Sequence, residues 1–167
     1  MDTGNRVMAQ RRKPSKRKSI LDSWQSKFAK VLKTFHGHMW KNVFHRLMKK
    51  SSTLRSSLRK RSKEYEVEFN ISLKAIRILL LKAYGKQCKY CKNKMTIKNT
   101  VCDHIIPLSL GGKSTLRNLQ MICARCNTRK GTLTDRQYNK ILSWLKRQPE
   151  IVEKYVLRKL AKSDRYK

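Results

Sequence analysis

The stretch from Val101 to Gly131, VCDHIIPLSLGGKSTLRNLQMICARCNTRKG, decides the fold of this chain. It places a carboxylate, an imidazole, amide side chains and a pair of thiols within one short span. The pair Gly111-Gly112 supplies the loop that turns the chain back, which predicts a hairpin. The residues after Cys126 are expected to begin a helix.

Four of the five cysteines fall into two matched pairs, Cys88-x-x-Cys91 and Cys123-x-x-Cys126. Thiolates are soft ligands, and four of them around one ion are typical of a structural zinc site, which is closed to water and substrate. Four unrelated buried cysteines or a redox pair would also give thiols here, but the doubled spacing favours a shared ion. Cys102 is left over and is predicted to be a small buried hydrophobe.

The pair Asp103-His104 is the first candidate for chemistry. Neighbouring side chains of a regular strand point to opposite faces, so an irregular hairpin or a bulge is expected to bring both toward one phosphate. The carboxylate, with the amide oxygen of Asn127, can hold a hard cation such as Mg²⁺, and the imidazole can take a proton from water. Asn118 lies in the returning arm. Taken singly, a histidine in a strand is more often structural, and Asn118 would usually be a turn residue.

Together these motifs, CKYC followed by VCDHIIPLSLGGKSTLRNLQMICARCNTRKG, resemble the HNH endonuclease family in its zinc-bearing subgroup. The resemblance covers roughly residues 72–145. It implies an α+β fold with a small ββα-metal core, in which a two-stranded hairpin and the following helix clasp one divalent ion. A four-cysteine zinc knuckle, flanking helices and a basic helical N-terminal extension complete the predicted architecture.

The resemblance also implies a role for each matching residue. His104 is the general base, Asp103 is a metal ligand, and Asn118 braces the hairpin and orients the histidine. Asn127 stands where the family has its final histidine, as the second ligand of a catalytic Mg²⁺ or Mn²⁺, and this departure leaves the metal preference open. Five basic residues are predicted to contact DNA: Lys113, Arg117, Arg125, Arg129 and Lys130.

The charge of the chain points to a polyanionic partner. Lys and Arg number 42 against 10 Asp and Glu, a formal net charge of +32, and residues 1–63 alone hold 19 basic and 2 acidic residues. Phosphates neutralised by such side chains release counterions, so DNA is the expected partner. No apolar run long enough to span a membrane and no secretory signal are seen, so an intracellular location is expected, including the cytoplasm of a phage-infected host.

Four segments are predicted along the chain: a disordered basic arm at 1–18, a basic amphipathic helical extension and linker at 19–63, the nuclease domain at 64–147 and a C-terminal helix at 148–167. The apolar stripe of 19–50 can pack on the chain, face a partner or lie on a membrane. Residues 51–63 are interpreted as a linker, or as a weak helix that becomes ordered on DNA. The alternation in 64–71 predicts a strand or an extended lead-in.

The function expected from the resemblance is metal-dependent hydrolysis of DNA phosphodiester bonds by a phage or homing-type enzyme. The alternative is a zinc-stabilised nucleic-acid-binding protein whose nuclease centre is silent. One finger cuts one strand, so a double-strand break requires a homodimer or two separate events.

Overall fold

The computed structural model describes residues 37–162 of the chain. The chain divides into two compact units, residues 1–43 and 44–167. The predicted basic arm and most of the predicted amphipathic helix of 19–50 lie outside the described residues. Apart from residues 37–43, the fold and the candidate site below belong to the second unit.

Within residues 37–162 the protein has five α-helices and one two-stranded antiparallel sheet, the predicted α+β class. In chain order these are α1 (Gly37–Glu64), α2 (Leu73–Ala83), β1 (Thr100–His104), β2 (Leu119–Cys123), α3 (Ala124–Lys130), α4 (Asp135–Leu145) and α5 (Glu150–Leu160). Two short 3₁₀ turns, Leu108–Leu110 and Leu116–Asn118, lie between the strands. None of the helices in the described range is long and apolar enough to cross a bilayer.

Helix α1 continues through the segment for which a linker or a weak helix is expected, so the helical interpretation of residues 51–63 is confirmed. Its buried side chains recur every three or four positions, which puts them on one face of the helix. Among residues 42–64 they are Leu47, Ser51, Leu54, Leu58 and Ser62. Two of the five are serines, so this face of the helix also carries hydroxyl groups into the interior.

Residues 64–71 do not form a strand, so that prediction is wrong. The alternative prediction, an extended segment that leads into the next helix, fits the structure. Glu64 ends α1 and Glu66 has a positive φ of 54°, which the strand conformation excludes. Only one isolated bridge follows in this segment, between Phe69 and Ser114. The alternating pattern reflects a short segment that lies against the hairpin loop and ends at the buried Ile71.

Strands β1 and β2 pair without interruption, each residue opposite one residue of the other strand, from Thr100↔Cys123 to His104↔Leu119. A bulge is therefore not needed to form the site. The loop turns at Gly111, whose φ is 76°, a conformation that favours glycine. At Gly112 a Cβ atom would lie 2.0 Å from the carbonyl oxygen of Ile106, so the next position also requires glycine.

The core under the hairpin joins α2, the first cysteine pair and β2. Ala83, Met95 and Ile122 pack there with Cys88, Cys123 and Cys126. Ser72 caps α2 by accepting from the N–H of Ala75, and Thr134 with Gln137 forms a capping box at the start of α4.

Candidate active site and metal centre

The four paired cysteines converge on one point, as their spacing predicts. Cys88 and Cys91 lie in the turn after α2, Cys123 ends β2, and Cys126 lies in the first turn of α3. Their Sγ atoms all lie within 4.8 Å of one another. This donor set fits a single soft ion, so these residues form a group able to hold a metal such as zinc.

The surroundings of Cys88 favour the thiolate that a metal ion needs. A hydrogen bond from Cys126 and backbone N–H groups, including that of Cys123, lower the pKa of Cys88 to about 4. Cys102 takes no part in this group. It is buried in β1 as predicted, and burial raises the pKa of its thiol well above the ordinary value.

A second site lies at the end of the hairpin, where a cavity of about 230 Å³ opens. Asp103 and His104 from β1 line it together with Asn127 from α3 and Arg61 from α1. Three of the four residues predicted to carry chemistry therefore share one cavity. A carboxylate and an amide there offer the hard oxygen donors that Mg²⁺ and Mn²⁺ prefer, so the residues fit such an ion.

Asp103 is held from the sheet and from α3. It lies opposite Gln120 in the register, and the Gln120 amide donates to Asp103 Oδ2 at 2.9 Å. Lys130 Nζ lies 3.1 Å from the same oxygen. Both contacts fall on Oδ2, so among the described residues Oδ1 is the carboxylate oxygen left for a cation.

His104 leaves the strand on the other side and points toward α1. Its Nε2 lies 3.0 Å from Ser114 Oγ, and the residue is 4% exposed. Burial and the positive charge of Arg61 lower the pKa of His104 to about 4, so the imidazole is neutral at neutral pH. The two side chains depart on opposite faces, as strand geometry requires, and both line the cavity because it opens at the end of the strand.

Asn118 contacts the backbone beyond His104 rather than the imidazole itself. Its Oδ1 accepts from the N–H of Ile106 at 2.8 Å, and its Nδ2 donates to the carbonyls of Ile106 and Lys113, each at 2.9 Å. Its own carbonyl accepts from the N–H of Ile105. These four bonds join the two arms of the loop, which is the bracing that the resemblance implies.

The predicted DNA-contacting residues divide into two groups. Lys113, Arg117 and Arg125 are exposed and Arg129 is half-buried. Lys130 corrects the prediction: its ammonium is buried and paired with Asp103, and also donates to the carbonyl of His104 at 2.9 Å. A side chain turned into the protein in this way is not available to the phosphate backbone.

Sequence reasoning missed the contribution of α1. Arg61 lines the cavity, its Nη2 donates to the carbonyl of Cys102 at 3.2 Å, and within residues 37–162 its buried Nε has no hydrogen-bond partner. Tyr65 also lines the cavity from just beyond the helix. The signal that could have revealed this approach is the continuation of the buried stripe to Ser62, which turns the end of the helix that carries Arg61 toward the hairpin.

Comparison with known proteins identifies the segment that carries both sites. Residues 88–143 match the family described as HNH endonuclease. This segment is an HNH endonuclease domain. The match contains the four cysteines, both strands, α3 and most of α4.

A curated relative agrees with this assignment. The CRISPR-associated endonuclease Cas9 of Corynebacterium diphtheriae is 44% identical over 46 residues. Those residues make up 27% of this chain and 4% of that protein, so the likeness concerns a short segment of each. Helix α1, with Arg61, lies outside the segment that matches the family.

Proposed function

We propose that this chain is a metal-dependent HNH DNA endonuclease that hydrolyses phosphodiester bonds. The observation that carries the proposal is the cavity shared by Asp103, His104, Asn127 and Arg61. It joins a metal-binding pair, a neutral imidazole and a guanidinium, which are the groups that phosphodiester hydrolysis needs.

In the proposed reaction His104 takes a proton from a water molecule. The water oxygen bonds to phosphorus as the bond from phosphorus to the 3′-oxygen breaks. The departing 3′-oxygen takes a proton from the solvent, which leaves a 5′-phosphate and a 3′-hydroxyl. Asp103 and Asn127 would hold a Mg²⁺ or Mn²⁺ ion, whose charge offsets the negative charge that develops on the phosphate and the leaving oxygen. These roles are the ones that the family resemblance implies, and the cavity that Asp103, His104 and Asn127 share supports them.

Arg61 is proposed to bind the phosphate that is cut. A guanidinium is always charged at neutral pH and presents several N–H donors in a rigid fork that suits phosphate oxygens. One donor is used by the carbonyl of Cys102, which fixes the head group at the cavity wall.

Structural zinc is proposed as the occupant of the cysteine cluster. It would tie the turn after α2 to the start of α3, and so hold Asn127 beside the hairpin. With four protein ligands the ion has no open position, so its contribution is to stability.

A basic groove on α1 is proposed to bind the DNA backbone at a distance from the phosphate that is cut. Arg55, Arg59, Lys60 and Lys63 line a groove of about 670 Å³, whose floor includes Phe69. The Arg55 guanidinium lies over the Phe69 ring at 5.4 Å from its centroid. Phosphate contacts of this kind position a duplex and carry no sequence information.

The proposed setting, a phage or homing-type nuclease inside a cell, rests on the resemblance and on the basic charge of the chain.

The test is a supercoiled-plasmid assay with Mg²⁺ or Mn²⁺ that compares the wild type with His104→Ala and His45→Ala. His45 is an exposed histidine of α1 and serves as the matched control. We expect open-circle or linear DNA from the wild type and from His45→Ala, and no product with EDTA. His104→Ala should bind the plasmid but cut about 10²- to 10⁴-fold more slowly.

If the wild type retards both the plasmid and DNA from its source genome but cuts neither, the proposal fails. The silent nucleic-acid-binding protein would then be the correct interpretation. Equal cutting by His104→Ala and the wild type would instead remove the histidine from the mechanism.

A further inference from the structure

A buried row of hydroxyl groups connects His104 to helix α1. His104 Nε2 lies 3.0 Å from Ser114 Oγ, and Ser114 Oγ lies 2.5 Å from Ser62 Oγ. Ser62 Oγ in turn donates to the carbonyl oxygen of Leu58 at 2.9 Å. Ser62 and Ser114 are 0% and 1% exposed, so the row is shielded from water.

The carbonyl at the end of this row sets the direction of every bond in it. A carbonyl oxygen can only accept, so the bond to Leu58 is made only when the single hydroxyl proton of Ser62 points to that oxygen, and all three bonds can be made together only in that case. The bond between the two serines then needs the proton of Ser114. Ser114 therefore has only a lone pair to offer to the imidazole, and His104 must be the donor at Nε2.

The reverse direction satisfies fewer groups. If Ser62 donated to Ser114 and Ser114 donated to His104, the bond to the Leu58 carbonyl would be lost. Three hydrogen bonds would become two in a site shielded from water, where each unmade bond costs free energy. The forward direction is therefore the more stable one.

We propose that Ser62 and Ser114 are positioning residues that hold His104 in its Nε2–H tautomer and leave Nδ1 as the atom that accepts the proton from water. A neutral imidazole carries one N–H, so fixing it on Nε2 places the lone pair on Nδ1. The inference rests on the proposed function, because it names the basic atom of the proposed general base. It also extends the active site to α1, outside the segment that matches the HNH family.

Helix α1 offers a matched control for this inference. Ser51 lies on the same face of the helix, is 0% exposed, and donates to the carbonyl of Met48 at 2.7 Å. Ser51→Ala thus removes a buried hydroxyl with the same type of backbone bond as Ser62→Ala. It differs in that, within residues 37–162, Ser51 belongs to no row of bonds that reaches the imidazole.

The experiment is nitrogen NMR of the full-length protein labelled at its imidazole nitrogens, at pH 8, with the His104 signals assigned by their loss in His104→Ala. We expect the Nε2–H tautomer in the wild type and in Ser51→Ala. In Ser62→Ala the Ser114 proton loses its acceptor and turns to Nε2, so the Nδ1–H tautomer should appear. An Nδ1–H signal in the wild type, or an unchanged tautomer in Ser62→Ala, overturns the proposal.

If Ser62→Ala does not fold, the wild-type spectrum still tests the direction of the row, and Ser62→Cys tests the serine. A thiol is a weaker acceptor of nearly the same shape, so this variant should show a mixture of tautomers. Suppose that the wild type shows the Nε2–H tautomer and that Ser62→Cys shows the same tautomer without any Nδ1–H form. Ser62 would then have no role in fixing the tautomer.

Cleavage kinetics separate this inference from the proposed function. Ser62→Ala should lower kcat about 10- to 100-fold, the range typical of losing the hydrogen-bond partner of a metal-ligating histidine, with KM for DNA unchanged. Ser51→Ala should cut like the wild type. A wild type with the Nε2–H tautomer and no cleavage of any DNA would retain the tautomer assignment and reject the nuclease.

Discussion

Lys130 Nζ lies 3.1 Å from Asp103 Oδ2, and the ammonium group is completely buried. The same nitrogen donates to the carbonyl of His104 at 2.9 Å. Lys130, at the end of α3, therefore contacts both the carboxylate of Asp103 and the backbone of His104. The site depends on this contact because both residues lie at the very end of β1, where the ladder of strand hydrogen bonds stops.

Replacing Lys130 with Met should destabilise the protein strongly. The variant keeps the aliphatic volume but leaves the buried carboxylate of Asp103 without its cation, so the free energy of unfolding should fall by about 3 kcal/mol. Urea denaturation of the two proteins measures the difference. Lys154→Met is the control, since its pair with Glu150 is exposed on both sides and should matter little. Equal stability of Lys130→Met and the wild type would show that the pair is not needed.

The hairpin, the cysteine cluster and the closeness of Asp103 to Asn127 could be predicted from local sequence. Cysteine spacing specifies a shared ion, and a Gly-Gly turn between apolar runs specifies a hairpin, since both constraints act over short distances. Asp103, His104 and Asn127 share one cavity because their positions follow directly from these elements.

The contributions of Lys130, Arg61 and Ser62 could not be predicted in the same way. A lysine at the end of a basic helix resembles any solvated lysine until a buried carboxylate is known to face it. Arg61 and Ser62 lie about 40 residues before β1 in the sequence and reach the site only through the packing of α1. Such long-range contacts leave no local pattern except the stripe that buries Ser62.

The cysteine cluster should bind one zinc ion per chain. Elemental analysis of purified protein should find close to one equivalent, and Cys126→Ser should lose it along with much of its thermal stability, because metal binding contributes directly to folding. Cys102→Ser is the matched control, as this buried cysteine is outside the cluster. Retention of zinc by Cys126→Ser, or its loss from Cys102→Ser, would contradict the assignment of the ligands.

The buried imidazole should make stability depend on pH between about 4 and 6.5. The pKa of His104 is lowered from 6.5 to about 4 in the folded protein, so between these values the unfolded chain binds more protons. The free energy of unfolding should therefore fall as the pH is lowered through this window, by at most about 3 kcal/mol.

The comparison with His104→Gln isolates this effect. Protonation of the clustered cysteine thiolates at low pH affects both proteins alike, so the difference between their stabilities reports on the imidazole. Urea midpoints at pH 7 and pH 5 suffice for the measurement. Parallel losses of stability in the two proteins would show that His104 titrates normally.

The groove on α1 should account for a measurable part of DNA affinity. If Arg59 and Lys63 each contact a phosphate, the double variant to Ala should bind DNA more weakly and lower the slope of log affinity against log salt by about 1.8. Fluorescence anisotropy with a labelled duplex in EDTA measures this without cleavage. The control is the double variant of Lys154 and Arg158, which removes the same charge from the exposed side of α5. An equal fall in slope for both variants would mean that DNA affinity depends on the net charge of the chain. The groove would then make no phosphate contacts of its own.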